Sequence, residues 1–314
     1  MKTIQGTSKF NVKADTSITI GTFDGVHIGH QTILKRLINN AKKEGLKSVV
    51  LTFFPHPRMV LQKDTDLRLL NTLDEKKQIL DSLGLDYLIV HKFTKDFSRL
   101  SATDFVQDVL VNQLNTKKII IGYDHRFGRN RTANIKDLIS FGKAFDFLVE
   151  EIPVQEINDV SVSSTKIRNA LINGDIQTAN DYLSYNYMLT GTIEKGKGLG
   201  RKIGYPTANL AITEDYKLIP KNGVYAVKCK ISDTYVYGMM NVGFNPTIEQ
   251  KSSKQHIEIH FFDFSDNLYG KKLTIELLDW IREEQKFDSV NMLKQQLRID
   301  KNIVLKTIST KFDN

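Results

Sequence analysis

The chain has 314 residues, about twice the ~150 of a common single domain, so two domains are the default expectation. Hydrophobic residues make up 40% and charged residues 25%, with 19 glycines and 6 prolines, a composition that excludes a long low-complexity region. Lys+Arg 44 against Asp+Glu 36 leaves a net charge of +8, which favours phosphate-bearing partners without choosing between a polymer and a nucleotide, and the single cysteine, Cys229, excludes a disulfide framework or a multi-cysteine zinc site.

The first residues, Met1–Gly6, carry no apolar signal core, and no run of about 20 apolar residues follows, so a cytosolic protein outside the membrane is expected. In the first half, strand-like runs at 17–20, 48–54, 87–91, 118–122 and 147–152 alternate with helical patterns. The clearest helix spans Gln31 to Glu44, with Ile33, Leu34, Leu37, Ile38 and Ala41 on one face. Strand–helix alternation predicts a parallel sheet with crossover helices, and such sheets bind ligands at the carboxyl ends of their strands. A helical stretch from Ser164 to Leu183 closes this half. Short runs at close spacing then follow, at 188–194, 223–231, 235–242, 256–264 and 273–278, punctuated by Gly, Asn, Pro and Asp. They predict an antiparallel barrel or sandwich, followed by a helix from Ser289 to about Ser309. The expected boundary divides the chain into 1–185 and 186–314.

Chemistry-bearing residues cluster just after strands. Gly21-Thr22-Phe23-Asp24-Gly25-Val26-His27-Ile28-Gly29-His30 leaves the first strand and enters a helix. Its two histidines, three residues apart, face the same way on a first helical turn. The helix N-terminus and free backbone N–H groups add positive potential suited to a phosphate under attack. Taken alone, the segment also reads as a glycine-rich turn whose histidines merely cap a helix. Phe53-Phe54-Pro55-His56-Pro57 and Gly122-Tyr123-Asp124-His125-Arg126-Phe127-Gly128 end two other strands. Ser163-Ser164-Thr165-Lys166-Ile167-Arg168 opens the closing helix, where a serine is a good N-cap and Arg168 is a possible bidentate phosphate donor.

In the second half, Gly196-Lys197-Gly198-Leu199-Gly200-Arg201-Lys202 is rich in glycine and positive charge. It fails the P-loop pattern because Gly198 stands where a magnesium-binding hydroxyl is needed, and it fails the dinucleotide fingerprint by spacing. A flexible basic hairpin loop is the plain alternative. Gly204-Tyr205-Pro206-Thr207-Ala208-Asn209 follows, placing a hydroxyl and an amide two residues apart on one side of an extended segment, as hard oxygen ligands for Mg²⁺ would be. On a strand, Glu258, His260 and Phe262 share the face opposite Ile257, Ile259 and Phe261, which is also what a solvent-facing row looks like.

The N-terminal signatures together resemble the adenylyltransferase module of bacterial bifunctional riboflavin kinase/FAD synthetases. The second set resembles the riboflavin kinase module of the same family, through Gly198–Arg201, Gly204–Leu210, Gly223–Val227, Asn241–Gly243 with Asn245-Pro246-Thr247, Glu258–His260, Asp263-Phe264, Leu268–Gly270, Arg282 and Phe287. The resemblance implies an α/β plus all-β chain: a nucleotidyltransferase-type Rossmann-like parallel sheet, then a riboflavin-kinase-type antiparallel β-barrel with a terminal helix. It implies that the second part phosphorylates riboflavin to FMN with Mg²⁺-ATP and the first adenylylates FMN to FAD. His27 and His30 would stabilise the α-phosphate, with Gly21, Phe23, Asp24 and Gly29 around ATP and Ser164, Thr165 and Arg168 on the departing phosphates. Pro55, His56, Pro57, Asp124, Arg126 and Phe127 would line the FMN site; the family's loop is often aromatic where this chain has His125. In the kinase, Gly198, Gly200, Arg201, Lys202, Gly204, Pro206, Thr207 and Asn209 would bind ATP, with Thr207 and Asn209 on Mg²⁺. Tyr225, Asn241, Glu258 and Arg282 would meet the flavin, Glu258 as base for the 5′-hydroxyl.

The expected partners are riboflavin, FMN, FAD and ATP, with neither nucleic acid nor membrane, and the chain is expected to be a monomer or weak homo-oligomer. Two other readings stand beside this one. The N-terminal signature alone fits a nucleotidyltransferase for another phosphorylated acceptor, and the +8 charge alone fits a nucleic-acid-binding or regulatory flavin sensor. Against the latter, Lys and Arg are spread along the chain and no RNA-binding motif occurs.

Overall fold

The computed structural model describes residues 1–62, 66–123, 126–153, 162–196, 198–244 and 255–312. The chain forms two compact units, one of Met1–Leu69 with Leu73–Ser163 and one of Leu70–Thr72 with Ser164–Asn314.

The first unit is built on six parallel strands, β1 (Lys2–Gln5), β2 (Thr16–Ile20), β3 (Lys47–Phe54), β4 (Tyr87–Lys92), β5 (Thr116–Gly122) and β6 (Leu148–Ile152), in the order β1-β4-β3-β2-β5-β6. The chain winds outward from β2 through β3 to β4, then crosses to β5 and β6, so the winding reverses beside β2. The crevice at the carboxyl end of such a reversal is where doubly wound sheets bind ligands. Val49, Val50 and Leu51 are all fully buried although they alternate in direction, as required when both sheet faces are covered. Residues from β2, β3, β4 and β5 form one core with Phe105, Val106, Val109 and Leu110 of a π-helical segment. β1 escapes the sequence reading because it is a mostly exposed edge strand, Lys-Thr-Ile-Gln, with no apolar run.

The principal helices of this unit are α1 (Ile28–Glu44), α2 (Leu73–Ser82), the π-helical α3 (Phe105–Gln113) and α4 (Ile135–Phe145). Helix α1 starts three residues before the periodic stretch, because His27 serves as its N-cap, and it ends on Gly45 in the left-handed region (φ 70°).

In the second unit the helical stretch expected over Ser164–Leu183 is two helices, α5 (Ser164–Asn173) and α6 (Ile176–Leu183). The break falls at Gly174 (φ 83°), after which the Asp175 carboxylate caps the Thr178 N–H at 3.1 Å. Six antiparallel strands close a barrel: β7 (Met188–Glu194), β8 (Ala208–Ala211), β9 (Gly223–Ile231), β10 (Thr234–Phe244), β11 (Gln255–Phe261) and β12 (Lys272–Arg282), in the order β10-β11-β8-β7-β12-β9. β8 was not expected as a strand; its four residues are held by pairing with β7 and β11. A short helix, α7 (Leu199–Lys202), lies in the glycine-rich segment, where no helical pattern was expected.

The terminal helix α8 (Val290–Phe312) packs Leu297, Val304 and Ile308 against Val224, Ala226, Met239 and Leu278 on the outer wall of the barrel. Asp300, fully buried on this helix, accepts two hydrogen bonds from Arg282, at 2.9 Å from Nε and 2.8 Å from Nη2, and a third from Gln296 at 2.8 Å. Removing one partner of a buried pair leaves an uncompensated charge, so Asp300→Ala is expected to destabilise this unit by about 3–5 kcal/mol. Urea unfolding monitored at Trp280, which lies on β12, checks this.

Candidate active sites

The turn that leaves β2 is backbone-strained. Phe23 (φ 46°) and Val26 (φ 40°) flank Gly25 (φ 86°), all in the left-handed region. A β-branched residue there is a genuine outlier, and such strain persists only where the surroundings over-determine it. Gly21 is crowded for a different reason: a Cβ on it would stand 3.0 Å from the Phe23 ring, which would have to shift slightly. The turn delivers His27 to the N-terminus of α1, and the His27 and His30 rings stack at 3.7 Å between centroids, with Phe23 edge-on to His30 at 5.2 Å.

His27 Nδ1 accepts from the His30 N–H at 3.4 Å, so a neutral His27 carries its proton on Nε2 and keeps one N–H to offer. Both imidazoles are held neutral. Burial lowers His27 to a pKa of about 4 against the opposing pull of Asp24. Burial lowers His30 well below its usual value, aided by His27 and Lys76. His30 Nδ1 is buried without a hydrogen-bond partner. Lys76 on α2, only 5% exposed, donates to the Thr22 carbonyl at 2.7 Å. The site is therefore a stacked imidazole pair at a helix N-terminus, with the buried Asp24 and Lys76 close enough to act on it electrostatically.

These shifts fix a pH dependence. His27 takes a proton far more readily in the unfolded chain than in the folded one, so its contribution to stability is fully present above pH 6.5 and is lost as pH falls toward 4. The loss amounts to about 3 kcal/mol, with His30 acting in the same direction. The urea midpoint of the first unit is expected to fall across this window, and less so in His27→Gln.

Other candidate residues of this unit have local roles. Pro55, His56 and Pro57 follow β3, neighbour of β2 in the sheet, and His56 Nδ1 accepts from the Arg58 N–H at 3.1 Å, capping a short helix. Phe127 is buried in the core against Phe105 and Phe141, with ring centroids 6.1 and 6.4 Å away. Arg126 is exposed, and Asp124 and His125 lie outside the described residues. Ser164 and Arg168 are half-buried, and Thr165 exposed, in the first turns of α5 in the second unit.

In the barrel, register gathers the candidates. Asn209 of β8 pairs with Glu258 of β11, Glu258 pairs with Asn241 of β10, Asn241 pairs with Val224 of β9, and Val224 pairs with Arg282 of β12. Directly paired residues project to the same face. Here that is the outer wall, since Ile257, Ile259 and Phe261 point inward and are buried. Thr207 Oγ1 donates to Glu258 Oε2 at 3.1 Å. Two glycines fold the preceding loop onto this row: a Cβ on Gly196 would stand 2.1 Å from Asn209 Nδ2, and one on Gly200 would stand 2.2 Å from the Tyr205 carbonyl. The described residues thus converge a hydroxyl, a carboxylate and an amide. This hard oxygen set suits a divalent cation that takes its remaining ligands from phosphates and water. No cluster of three or more His, Cys, Asp or Glu capable of holding a metal alone exists among the described residues.

The other kinase candidates are placed as follows. Gly198 (φ 70°) caps α7, Gly204 has φ 87°, Arg201 is exposed, Pro206 precedes Thr207, and only the backbone of Lys202 is described. Tyr225 is fully buried and its hydroxyl donates to the Lys221 carbonyl. Arg282 is engaged by Asp300. Lys197 and Asn245-Pro246-Thr247 lie outside the described residues. Two residues absent from the candidate set stand beside it. His260 Nδ1 lies 2.8 Å from the Pro206 carbonyl, and Lys76 lines the first site. Both carry a sequence signal, being a polar residue on a patterned face: Lys76 shares the α2 face of the buried Ile79 and Leu80.

A parallel sheet with paired histidines at its switch point, followed by a barrel with an oxygen-rich outer row, defines a two-part nucleotide-dependent transferase. A FAD synthetase family model matches residues 9–166 and a riboflavin kinase model residues 183–308. Curated relatives named bifunctional riboflavin kinase/FMN adenylyltransferase include one from Haemophilus influenzae, 38% identical with 96% of this chain and 97% of that protein covered. Another, from Buchnera aphidicola, is 37% identical with 98% of each covered. A crystal structure described as a macrolide-efflux protein from Streptococcus pneumoniae superposes with TM-score 0.87 at 30% identity, covering 96% of this chain and 98% of that one. No helix among the described residues here is long and apolar enough to cross a membrane.

The chain belongs to the bifunctional riboflavin kinase/FMN adenylyltransferase family. Its barrel phosphorylates riboflavin to FMN and its parallel-sheet unit adenylylates FMN to FAD, ATP being consumed in both steps. ATP-using domains of these two kinds typically require a divalent metal.

Proposed function

We propose that the two reactions run at the two clusters just described, with Mg²⁺ as the divalent metal. In the barrel, Glu258 accepts the proton of the riboflavin 5′-hydroxyl as it attacks the γ-phosphorus of ATP, the bond to the bridging oxygen breaks, and ADP leaves. Thr207 and Asn209 would hold Mg²⁺, which when bound with ATP neutralises charge on its phosphates. Gly196, Gly198 and Gly200 let the loop backbone approach those phosphates, and Asn241 orients the flavin from the neighbouring strand. The observation that carries this reading is the register row Asn209–Glu258–Asn241, with Thr207 hydrogen-bonded to Glu258.

In the first unit, the FMN phosphate attacks the α-phosphorus of ATP and pyrophosphate leaves. The attacking phosphate is already ionised, so the site needs positioning and charge stabilisation rather than a base. His27 Nε2–H and the N-terminus of α1 supply donors, and the stacked His30 fixes the orientation of His27. Ser164, Thr165 and Arg168 receive the β,γ-phosphates on the strength of the sequence resemblance. We also infer a cytosolic monomer or weak homo-oligomer; the single cysteine, Cys229, leaves no intramolecular disulfide that would call for an oxidising compartment.

Purified protein incubated with riboflavin and ATP, with separation of FMN and FAD, tests the scheme. Both products are expected with Mg²⁺ and neither with EDTA. FMN formation that persists in EDTA would remove the metal role given to Thr207 and Asn209.

A further inference from the structure

Helix α2 carries Asp74-Glu75-Lys76-Lys77, a charged run that reads as solvated surface, yet Lys76 is buried. Its Nζ donates to the Thr22 carbonyl at 2.7 Å, and Thr52 Oγ1 donates to the same oxygen at 3.3 Å. That carbonyl lies inside the strained turn from β2 to His27. Burial pulls the ammonium's pKa down and Asp24 holds it up. On the other side, the lysine's charge reaches the His30 imidazole, whose Nδ1 has no partner. An apolar side chain of similar length would fill the same space without the desolvation cost of an ammonium. What an apolar chain would not supply is the donor to Thr22 and a fixed positive charge beneath two stacked imidazoles.

We propose that Lys76 is a positioning residue of the adenylyl-transfer site, pinning the Thr22 carbonyl so that the turn presents His27 and His30, and placing a buried positive charge behind them for the phosphate under attack. Preorganised charge of this kind acts most strongly where water is excluded. The inference rests on the assignment of adenylyl transfer to this cluster, whose charged and titratable members are Asp24, His27, His30 and Lys76.

The test measures FAD formation from FMN and ATP in the full chain for Lys76→Gln, Lys76→Met and Lys76→Arg. Glutamine keeps a donor but no charge, methionine keeps neither, and arginine keeps both. The expected result is a fall in kcat of at least about tenfold for the glutamine and methionine variants, with KM for ATP moving less than about threefold, and partial recovery with arginine. The His30 imidazole, followed by NMR, is expected to titrate at higher pH in Lys76→Gln, which a merely space-filling lysine would not cause. Parent-like kcat in Lys76→Gln, or arginine no better than glutamine, overturns the proposal. Should the variants fail to fold, the parent chain with labelled lysine Cε decides: the Lys76 resonance must move on saturation with α,β-methylene-ATP, and an unmoved one overturns the proposal. His30→Ala separates the two levels. If it leaves FAD formation intact, the site assignment has failed; if it loses FAD while Lys76→Gln does not, only the role of Lys76 has failed.

Discussion

His30→Ala is expected to cost FAD formation about 10²–10³-fold while FMN formation from riboflavin continues at the parent rate. The magnitude is that of removing one preorganised donor from a site where negative charge develops. His30 stacks on His27 at 3.7 Å and gives its backbone N–H to His27 Nδ1. The backbone N–H survives in the alanine variant, so what is lost is the stacking surface that orients His27 together with a neutral imidazole beside the reacting phosphate. The kinase row sits on barrel strands in the other unit, so riboflavin phosphorylation provides the internal control. Chromatographic separation of FMN and FAD in one reaction reads both.

The mirror result is expected for Glu258→Gln. General-base catalysis contributes typically 10²–10⁴-fold, so FMN formation should fall by about that factor, while FAD formation from supplied FMN persists. Glutamine preserves the shape of the side chain and a carbonyl oxygen able to accept from Thr207 Oγ1. A loss of activity in a folded variant thus reports on the proton acceptor rather than on packing. Were both substitutions to damage both reactions equally in folded protein, the assignment of separate sites would fall.

Much of this was legible from residue order. Apolar runs such as Ser48–Leu51 announced a covered parallel sheet, and alternation around Ile257, Ile259 and Phe261 marked the inner face of β11. The His27/His30 spacing marked a first helical turn three residues ahead of the apolar period, because a cap and a same-face pair are local properties. What sequence could not supply was pairing. β1 and β8 have no strand signature of their own; each exists because a partner strand offers backbone hydrogen bonds. Lys76 hid in a charged run: its place on the face of Ile79 and Leu80 was the only local mark separating it from Lys77, which pairs with Asp74 at 3.0 Å. Nor did sequence show that Phe127 packs into the core or that the Tyr225 hydroxyl donates to the Lys221 carbonyl.

The closed barrel has a consequence for how this kinase can change length. An open sheet tolerates a one-residue insertion by sliding its edge strand, but a barrel has no edge to slide. One residue added within β8 would turn Asn209 inward and Leu210 outward. Because β8 is locked to β7 on one side and β11 on the other, the displacement would have to travel around all six strands or stop in a bulge beside Glu258. Insertions should instead be absorbed by tips such as the Ser232-Asp233 hairpin, two residues already in left-handed geometry (φ 47° and 69°). Lengthening that tip is expected to leave FMN synthesis intact, whereas a single residue added to β8 should end it.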